Sequence, residues 1–145
     1  MSILLDTNIL LRMAQDNHPM NPEAMRAAAT LLRQGEILHI VPQTLYEFWS
    51  VATRAIDFNG LGLSVPDAAK ELARLKTIFS FLPDNDLIYS TWEQLVIAHK
   101  INGRNAHDTR IVAAMLVHKI QYLLTFNKSD FTVYPEVSVL LPSEV

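Results

Sequence analysis

Short apolar segments alternate with amphipathic helical segments along the chain, and this alternation constrains the fold more than any other feature. Strands are predicted at residues 2–5, 37–41, 81–82, 122–125 and 137–141, and helices at 22–33, 43–56, 66–79, 86–100 and 108–119. Strands joined through helices pair in parallel by right-handed crossovers, and the helices cover both faces of the sheet. We therefore expect a three-layer α/β/α fold with a central, mostly parallel sheet of four to five short strands.

Length and composition indicate a single domain spanning residues 1–145. A chain of 145 residues buries roughly 68–70% of its unfolded surface. The chain contains no cysteine, which excludes disulfides and thiolate metal sites. No apolar stretch approaches the roughly 20 residues that span a bilayer, and the first residues lack the basic start of a signal peptide. We therefore expect a cytoplasmic protein that does not associate with a membrane.

Four acidic residues fall where predicted strands end or where helices begin. Asp6 follows the first strand, Glu47 lies early in the helix after the second strand, Asp108 opens a helix, and Asp130 follows the strand at 122–125. A helix that leads back to a parallel strand begins at the edge where the strands have their carboxyl ends, and sites form at that edge. We therefore expect all four side chains at one rim of the sheet.

Each of these acids also has an ordinary structural interpretation. Asp6 could close a turn after the strand. Glu47 could be a solvated helix residue, and the apolar pattern leaves that question open. Asp108 could interact favourably with the dipole of a helix that has Asn105 as its N-cap. However, Asp108 lies one turn before an apolar stripe, so its side chain should point along the core face. Asp130 belongs to a polar segment that also suits a turn.

Taken together, carboxylates at one rim repel each other unless their pKa values rise or a cation binds between them. Mg²⁺ and Mn²⁺ prefer oxygen ligands, and Mg²⁺ commonly combines one or two carboxylates with water and substrate phosphate oxygens. The five histidines show no metal-binding spacing. The acidic rim therefore indicates phosphate-ester chemistry with Mg²⁺ or Mn²⁺, whereas the net charge of −3 argues against broad nonspecific DNA binding.

Four sequence blocks, in this order, resemble a PIN-domain ribonuclease: LLDTNILL, QTLYEFWSV, NAHDTRIVAAM and LLTFNKSDF. The chain is most similar to the VapC-type toxins of bacterial toxin–antitoxin pairs and their free-standing relatives. The resemblance covers nearly the whole chain. It implies a compact α/β/α domain with an acidic pocket that binds Mg²⁺ or Mn²⁺ and hydrolyses RNA to leave 3′-hydroxyl and 5′-phosphate ends.

The resemblance also implies the roles of individual residues. Asp6, Glu47 and Asp108 match the three core acids of the family and Asp130 matches the fourth, so these four are expected to be both catalytic and metal-binding. This match decides between the two interpretations of Glu47. Positions that support the first acid or lie beside the pocket are matched by Thr7, Asn8, Thr125 and Asn127. The segment 58–66 departs from the family pattern and is expected to reshape the substrate groove.

In the mechanism that we expect, Asp6 and Asp108 hold a first metal ion and Glu47 completes its ligands. Asp130 positions a second ion or the attacking water. The resemblance implies three partners: an RNA substrate, a small antitoxin protein that blocks the acidic pocket, and a second copy of the chain in a homodimer.

Several other residues near the rim have two interpretations. Four basic residues could contact substrate phosphates or could simply be solvated surface charges: Arg12, Arg104, Arg110 and Lys128. Trp49 and Trp92 could stack on bases, but both lie on helical stripes, which favours core packing.

Two other functions compete with a nuclease. A haloacid-dehalogenase-type phosphatase also places an Asp after its first strand, but it needs a second Asp two residues later, where this chain has Asn8. A non-catalytic PIN-like module would bind RNA or protein with structural acids, and retention of all four acidic positions argues against it.

Overall fold

The computed structural model describes residues 1–145, and its centre is one parallel sheet. The five strands are β1 Ser2–Leu5, β2 Ile37–Ile40, β3 Ser80–Phe81, β4 Tyr122–Leu124 and β5 Ser138–Leu140. They lie in the order β3-β2-β1-β4-β5, and all four pairings are parallel. The prediction of a mostly parallel sheet of four to five strands is confirmed.

Six α-helices cover the two faces of the sheet. They are α1 Thr7–Met13, α2 Asn21–Arg33, α3 Pro42–Ala52, α4 Val65–Ile78, α5 Leu87–Ala98 and α6 Asn105–Val117. Short 3₁₀ helices form at Ile56–Phe58, Lys128–Phe131 and Pro142–Glu144. Residues of α1, α2, α3 and α4 pack on one face, and residues of α5 and α6 pack on the other. This arrangement is the expected three-layer α/β/α fold. None of the helices combines the length and the apolar character that crossing a membrane requires.

Alternation along β1 divides the core into two halves. Ile3 and Leu5 face the cluster built with α1 to α4, whereas Leu4 faces the cluster built with α5 and α6. All three side chains are fully buried, and burial of each large aliphatic side chain contributes roughly 1.5–3 kcal/mol. The sequence of a strand that is buried on both faces is continuously apolar, and for this reason the segment from Ile3 to Leu5 contains no polar residue.

Three helices differ from the predicted pattern, and one of them, α6, begins at Asn105 rather than at Asp108. Helix α1 was not predicted, because it starts directly after β1 and has only seven residues. Helix α3 ends at Ala52 rather than Ile56, because the amides of Leu61 and Leu63 donate to the carbonyl oxygens of Val51 and Ala52. Ile56 is consequently 74% exposed and does not continue the apolar stripe of α3.

Two asparagines, of a residue type that favours the N-cap position, lie inside their helices instead. Asn21 is the first residue of α2, and its side-chain amide donates to the carbonyl oxygen of Arg12 at 2.8 Å, at the end of α1. Asn105 is likewise the first residue of α6, and Arg104 precedes it without a side-chain cap. Ser64 does cap α4, by accepting a hydrogen bond from the amide of Asp67.

The order of the strands determines where a site can form. Chain connections run outward from β1 to β2 and β3 on one side, and β4 and β5 lie on the other side. In open parallel sheets, the crevice at such a switch point lies beyond the carboxyl ends of the strands. Asp6 immediately follows β1 and therefore lies at this crevice.

Candidate active site

The four predicted acids come together in one cleft at the carboxyl edge of the sheet. Asp6 arrives from the end of β1, Glu47 from α3, Asp108 from the first turn of α6, and Asp130 from the 3₁₀ helix after β4. The cleft has a volume of about 260 Å³ and is lined by Asp6, Thr7, Asn8, Leu11, Glu47, Val51, Asp108, Asn127 and Asp130. Residues scattered from the first strand to the last quarter of the chain thus share one surface.

Asp6 is held by both of its carboxylate oxygens. Its Oδ1 accepts a hydrogen bond from the amide of Thr7 at 2.8 Å and so caps α1. Its Oδ2 accepts from the hydroxyl of Thr125 at 2.7 Å and from the side-chain amide of Asn8 at 3.3 Å. The capping interpretation and the site interpretation of Asp6 are therefore compatible, because one carboxylate caps the helix while it lines the cleft.

A polar network connects the end of β4 to the start of α1. The side-chain nitrogen of Asn8 also donates to Thr125 Oγ1 at 3.0 Å, and Asn8 Oδ1 accepts from the backbone amide of Phe126 at 3.2 Å. Thr125 itself is fully buried and accepts from the backbone amide of Asn127 at 3.0 Å. Thr125 therefore lies behind the cleft and orients Asp6, whereas Asn127 lines the cleft.

Glu47 is oriented by a residue of a different helix. Thr7 Oγ1 donates to Glu47 Oε1 at 2.8 Å, and this hydrogen bond joins α1 to α3. Glu47 is partly buried, one turn before Val51 on the same helix face. It is therefore not the freely solvated helix residue that the apolar pattern alone left open.

The first turn of α6 is tied to α3 beside Asp108. Gln43 is 7% exposed, and its side-chain amide donates to the carbonyl oxygen of His107 at 2.8 Å. Arg110 donates to Gln43 Oε1 at 3.1 Å and to Asp84 at 3.0 Å. The backbone next to Asp108 is thereby held in position, and the Arg110 guanidinium is engaged within the protein.

Burial and mutual repulsion perturb two of the four acids. Desolvation raises the pKa of Asp6 above its usual value; hydrogen bonds from Thr125 and Thr7 oppose this, and Glu47 and Asp130 add repulsion. Partial burial raises the pKa of Asp108 to about 6, and repulsion from Asp6, Asp130 and Glu47 contributes. The carboxylates are thus close enough to interact electrostatically, and a positive charge between them would remove an unfavourable interaction.

The donor chemistry of the cleft suits a hard divalent cation, since all four acidic side chains offer oxygen atoms and no thiol or imidazole lines the cleft. No three acidic or histidine side chains are already arranged as a group that could hold a metal ion. Hydrogen bonds from Thr7, Asn8 and Thr125 turn Asp6 and Glu47 oxygens toward protein donors. Mg²⁺ commonly takes only one or two protein carboxylates, so the residues present fit such an ion.

Sequence patterns missed the apolar side of the cleft. Leu11 and Val51 line it, and they lie four residues after Thr7 and Glu47 respectively. Residues four apart share a helix face, so this spacing was the available signal. Gln43 was also missed, although a glutamine among apolar residues in the first turn of a helix is a recognisable signal for a buried polar contact.

Trp92 is partly buried, and its remaining surface lines a pocket that it shares with Tyr89 and Arg110. It packs against the cluster formed with α5 and α6, and its indole nitrogen donates to the carbonyl oxygen of Ala106 at 2.8 Å. Trp92 thereby fixes α5 to the first turn of α6, two residues before Asp108.

Solved structures with the same architecture come from several bacteria. A chain of VapBC-1 from nontypeable Haemophilus influenzae matches with a TM-score of 0.74 and 17% identity, over 99% of both chains. A chain of VapBC2 from Rickettsia felis, bound to a promoter DNA fragment, matches with a TM-score of 0.73 and 16% identity, over 97% of this chain and 98% of that chain. VapC20 of Mycobacterium tuberculosis, described as a sarcin-ricin loop cleaving toxin, matches with a TM-score of 0.60 and 21% identity, over 83% and 86%.

These likenesses, each below 25% identity, establish the shared fold. No curated protein matches the sequence. The family model described as the PIN domain, in contrast, matches residues 3–136 and so includes all four acids of the cleft. The chain is therefore a member of the PIN domain family.

Proposed function

We propose that this protein is a Mg²⁺- or Mn²⁺-dependent endoribonuclease that hydrolyses RNA phosphodiester bonds and acts as the toxin of a toxin–antitoxin pair. The observation that carries the proposal is the convergence of Asp6, Glu47, Asp108 and Asp130 in one cleft from four separate elements. Membership of the PIN domain family and the VapC and VapBC names of the structural relatives are consistent with it.

Asp6 and Asp108 would hold the cation, which when bound would neutralise charge on the phosphate and activate water. Glu47 would complete its ligands, and Asp130 would position a second cation or the attacking water. Other side chains of the protein orient two of these acids. Thr7 holds the Glu47 carboxylate, and Thr125 and Asn8 hold Asp6, so side-chain freedom at two of the acids is already restricted before substrate arrives. Leu11 and Val51 form an apolar wall that limits the number of water molecules beside the acids.

RNA cleavage with and without metal tests this function directly. Wild-type protein is expected to cleave RNA with Mn²⁺ and to stop when the metal is chelated, and Asp6→Asn is expected to be inactive in both conditions. Asp67→Asn is the matched control, because Asp67 is exposed on α4 and should leave cleavage unchanged. Binding of RNA without cleavage under every metal tested would show a non-catalytic binding module instead.

We also propose an antitoxin and a second copy of the chain as protein partners. Large apolar side chains next to and beyond Glu47 are exposed: Tyr46 by 67%, Ile56 by 74% and Phe58 by 71%. Exposed apolar surface of this kind is available for protein contacts. Co-expression with the product of a small adjacent reading frame should abolish cleavage, and sedimentation of the purified protein should give twice the chain mass. Unchanged cleavage on co-expression would contradict the proposed antitoxin, and a monomeric mass would contradict the proposed homodimer.

A further inference from the structure

A second cleft lies beside the acidic cleft and has a different character. Its volume is about 310 Å³, within the range of roughly 300–1,000 Å³ that holds small ligands. Residues that line it include Lys100, Asn102, Asn105, Ser129, Asp130 and Tyr134. Most of its lining side chains can form hydrogen bonds and only Asp130 is acidic, with Ile101 and Val133 as apolar neighbours, whereas four acids line the acidic cleft.

The two clefts are contiguous through two elements. Asp130 lines both of them. Asn105 and Asp108 lie three residues apart in the first turn of α6, so their side chains share one helix face about 5–6 Å apart. A strand of RNA whose phosphate lies beside Asp108 therefore has its neighbouring nucleotide within reach of Asn105.

The inner wall of this second cleft is rigid. Tyr134 is 2% exposed, and its hydroxyl lies 2.6 Å from Thr109 Oγ1. The ring of His99 meets the ring of Tyr134 edge to face at 5.7 Å, and His99 Nε2 lies 2.7 Å from Glu136 Oε1. A wall whose side chains are held in this way does not need to be ordered when a ligand enters, which lowers the cost of binding.

The exposed side chains of the second cleft match the edge of a nucleobase. Each amide of Asn102 and Asn105 offers a donor pair and an acceptor, which is the pattern that pairs with base edges. Lys100 is exposed on the same cleft, and Arg104 is exposed at the start of α6, where positive charge favours phosphates. Proteins that read single-stranded RNA hold an unstacked base in this way.

We propose that this second cleft binds the nucleotide adjacent to the scissile phosphate and that Asn102 and Asn105 read its base. The assignment rests on the ribonuclease activity proposed above, and it adds a base-selecting subsite on one side of the cut. Lys100 and Arg104 contact the phosphates of the same strand. The base preference of cleavage is therefore set largely at one position of the RNA.

Cleavage of a randomised RNA pool, followed by sequencing of the product ends, measures this preference position by position. The wild-type protein, Asn102→Ala, Asn105→Ala and the double variant are compared in Mn²⁺. We expect the preference at one position next to the cut to fall by roughly fivefold or more in the double variant, while preferences elsewhere stay unchanged. Asn17→Ala is the matched control, because Asn17 is exposed in the loop between α1 and α2.

A binding measurement separates failure of this subsite from failure of the nuclease. Short fluorescent RNAs that differ at one base are titrated with Asp6→Asn protein in chelator, with and without the two Asn→Ala changes. Base-dependent affinity that disappears with the Asn→Ala changes supports the subsite even if no RNA is ever cut. An unchanged base preference in the double variant, by cleavage or by binding, overturns it, as does the absence of any base preference in the parent protein.

Discussion

Thr7 and Glu47 are 40 residues apart in sequence, and the Thr7 hydroxyl donates a hydrogen bond of 2.8 Å to Glu47 Oε1. Both residues line the acidic cleft. The bond satisfies one oxygen of a partly buried carboxylate and limits its rotation. It also couples the orientation of an acid on α3 to the start of α1, which Asp6 caps.

Thr7→Val should impair cleavage with little change in stability. The valine keeps the shape of the side chain but removes the donor to Glu47, and loss of a group that orients a metal ligand typically costs 10–100-fold in activity or metal affinity. Thr7→Ser retains a hydroxyl and should recover most of the lost rate. Initial rates and Mn²⁺ titrations measure both effects, and Thr77→Val on the exposed side of α4 is the control. Equal loss in the serine and valine variants contradicts a positioning role.

Asp6→Asn and Asp6→Ala should separate stability from catalysis. Asparagine is among the best N-cap residues, so Asp6→Asn should keep α1 capped, whereas Asp6→Ala should lose about 1 kcal/mol or more. Burial already raises the pKa of Asp6, so loss of the negative charge itself costs little in the metal-free protein. Urea unfolding in the presence of a chelator compares the two. If Asp6→Asn unfolds as readily as Asp6→Ala, its loss of cleavage has a structural cause.

Asp108 should make the metal-free protein less stable as the pH rises. Its pKa is raised from 3.8 to about 6 in the folded protein, so the folded state keeps a proton that the unfolded state has lost between these values. Stability therefore falls as the pH rises from about 4 to about 6. Asp108→Asn removes this dependence and should be more stable than wild type at pH 7.5, by on the order of 1 kcal/mol after allowance for solvent screening.

Thermal unfolding in chelator at pH 5 and pH 7.5 measures this difference, which should be larger at pH 7.5. Added Mn²⁺ should raise the melting temperature of wild type, because a ligand of the folded state stabilises it. The same addition should have a much smaller effect on Asp108→Asn. A variant that is no more stable than wild type at pH 7.5 would contradict the cost that burial and, in addition, repulsion from the other acids impose on the charged form of Asp108.

Tyr134 and Thr109 should show coupled effects on stability. Thr109 Oγ1 donates to the carbonyl oxygen of Asn105 at 3.1 Å, so the Tyr134 hydroxyl donates to Thr109. Tyr134→Phe should cost about 1 kcal/mol, whereas Thr109→Val leaves the buried tyrosine hydroxyl unpaired and should cost about 1–3 kcal/mol. The double variant should cost less than the sum. Urea unfolding of wild type, the two single variants and the double variant measures this coupling. Tyr89→Phe, at an exposed position, is the control and should not change stability. Losses of stability that simply add would exclude the coupling.

The order and type of most elements follow from local patterns. Continuous apolar runs such as Ile3–Leu5 are typical of strands buried on both faces, and the helical stripes between them favour parallel pairing. Parallel pairing in turn places Asp6, Glu47, Asp108 and Asp130 at one edge. For this reason the general position of the site could be predicted before any coordinates were known.

Helix boundaries were less predictable where distant groups compete for the backbone. Helix α3 ends early because the amides of Leu61 and Leu63 take the carbonyl oxygens of Val51 and Ala52. Asn21 could have capped α2, but its amide instead binds the end of α1. In both cases a contact made through folding outweighs a local preference of about 1 kcal/mol.

The sequence by itself determined the layered α/β architecture and the edge at which its acids meet, because both follow from the periodicity of apolar residues and from strand direction. Only the tertiary structure decided that Thr7 holds Glu47, that Thr125 lies behind Asp6, and that Asp130 lines two clefts. These relationships depend on helix packing and side-chain rotamers across more than 35 residues of sequence. Local sequence patterns carry no information at that range, so the hydrogen-bond partners of each acid could be identified only in the folded structure.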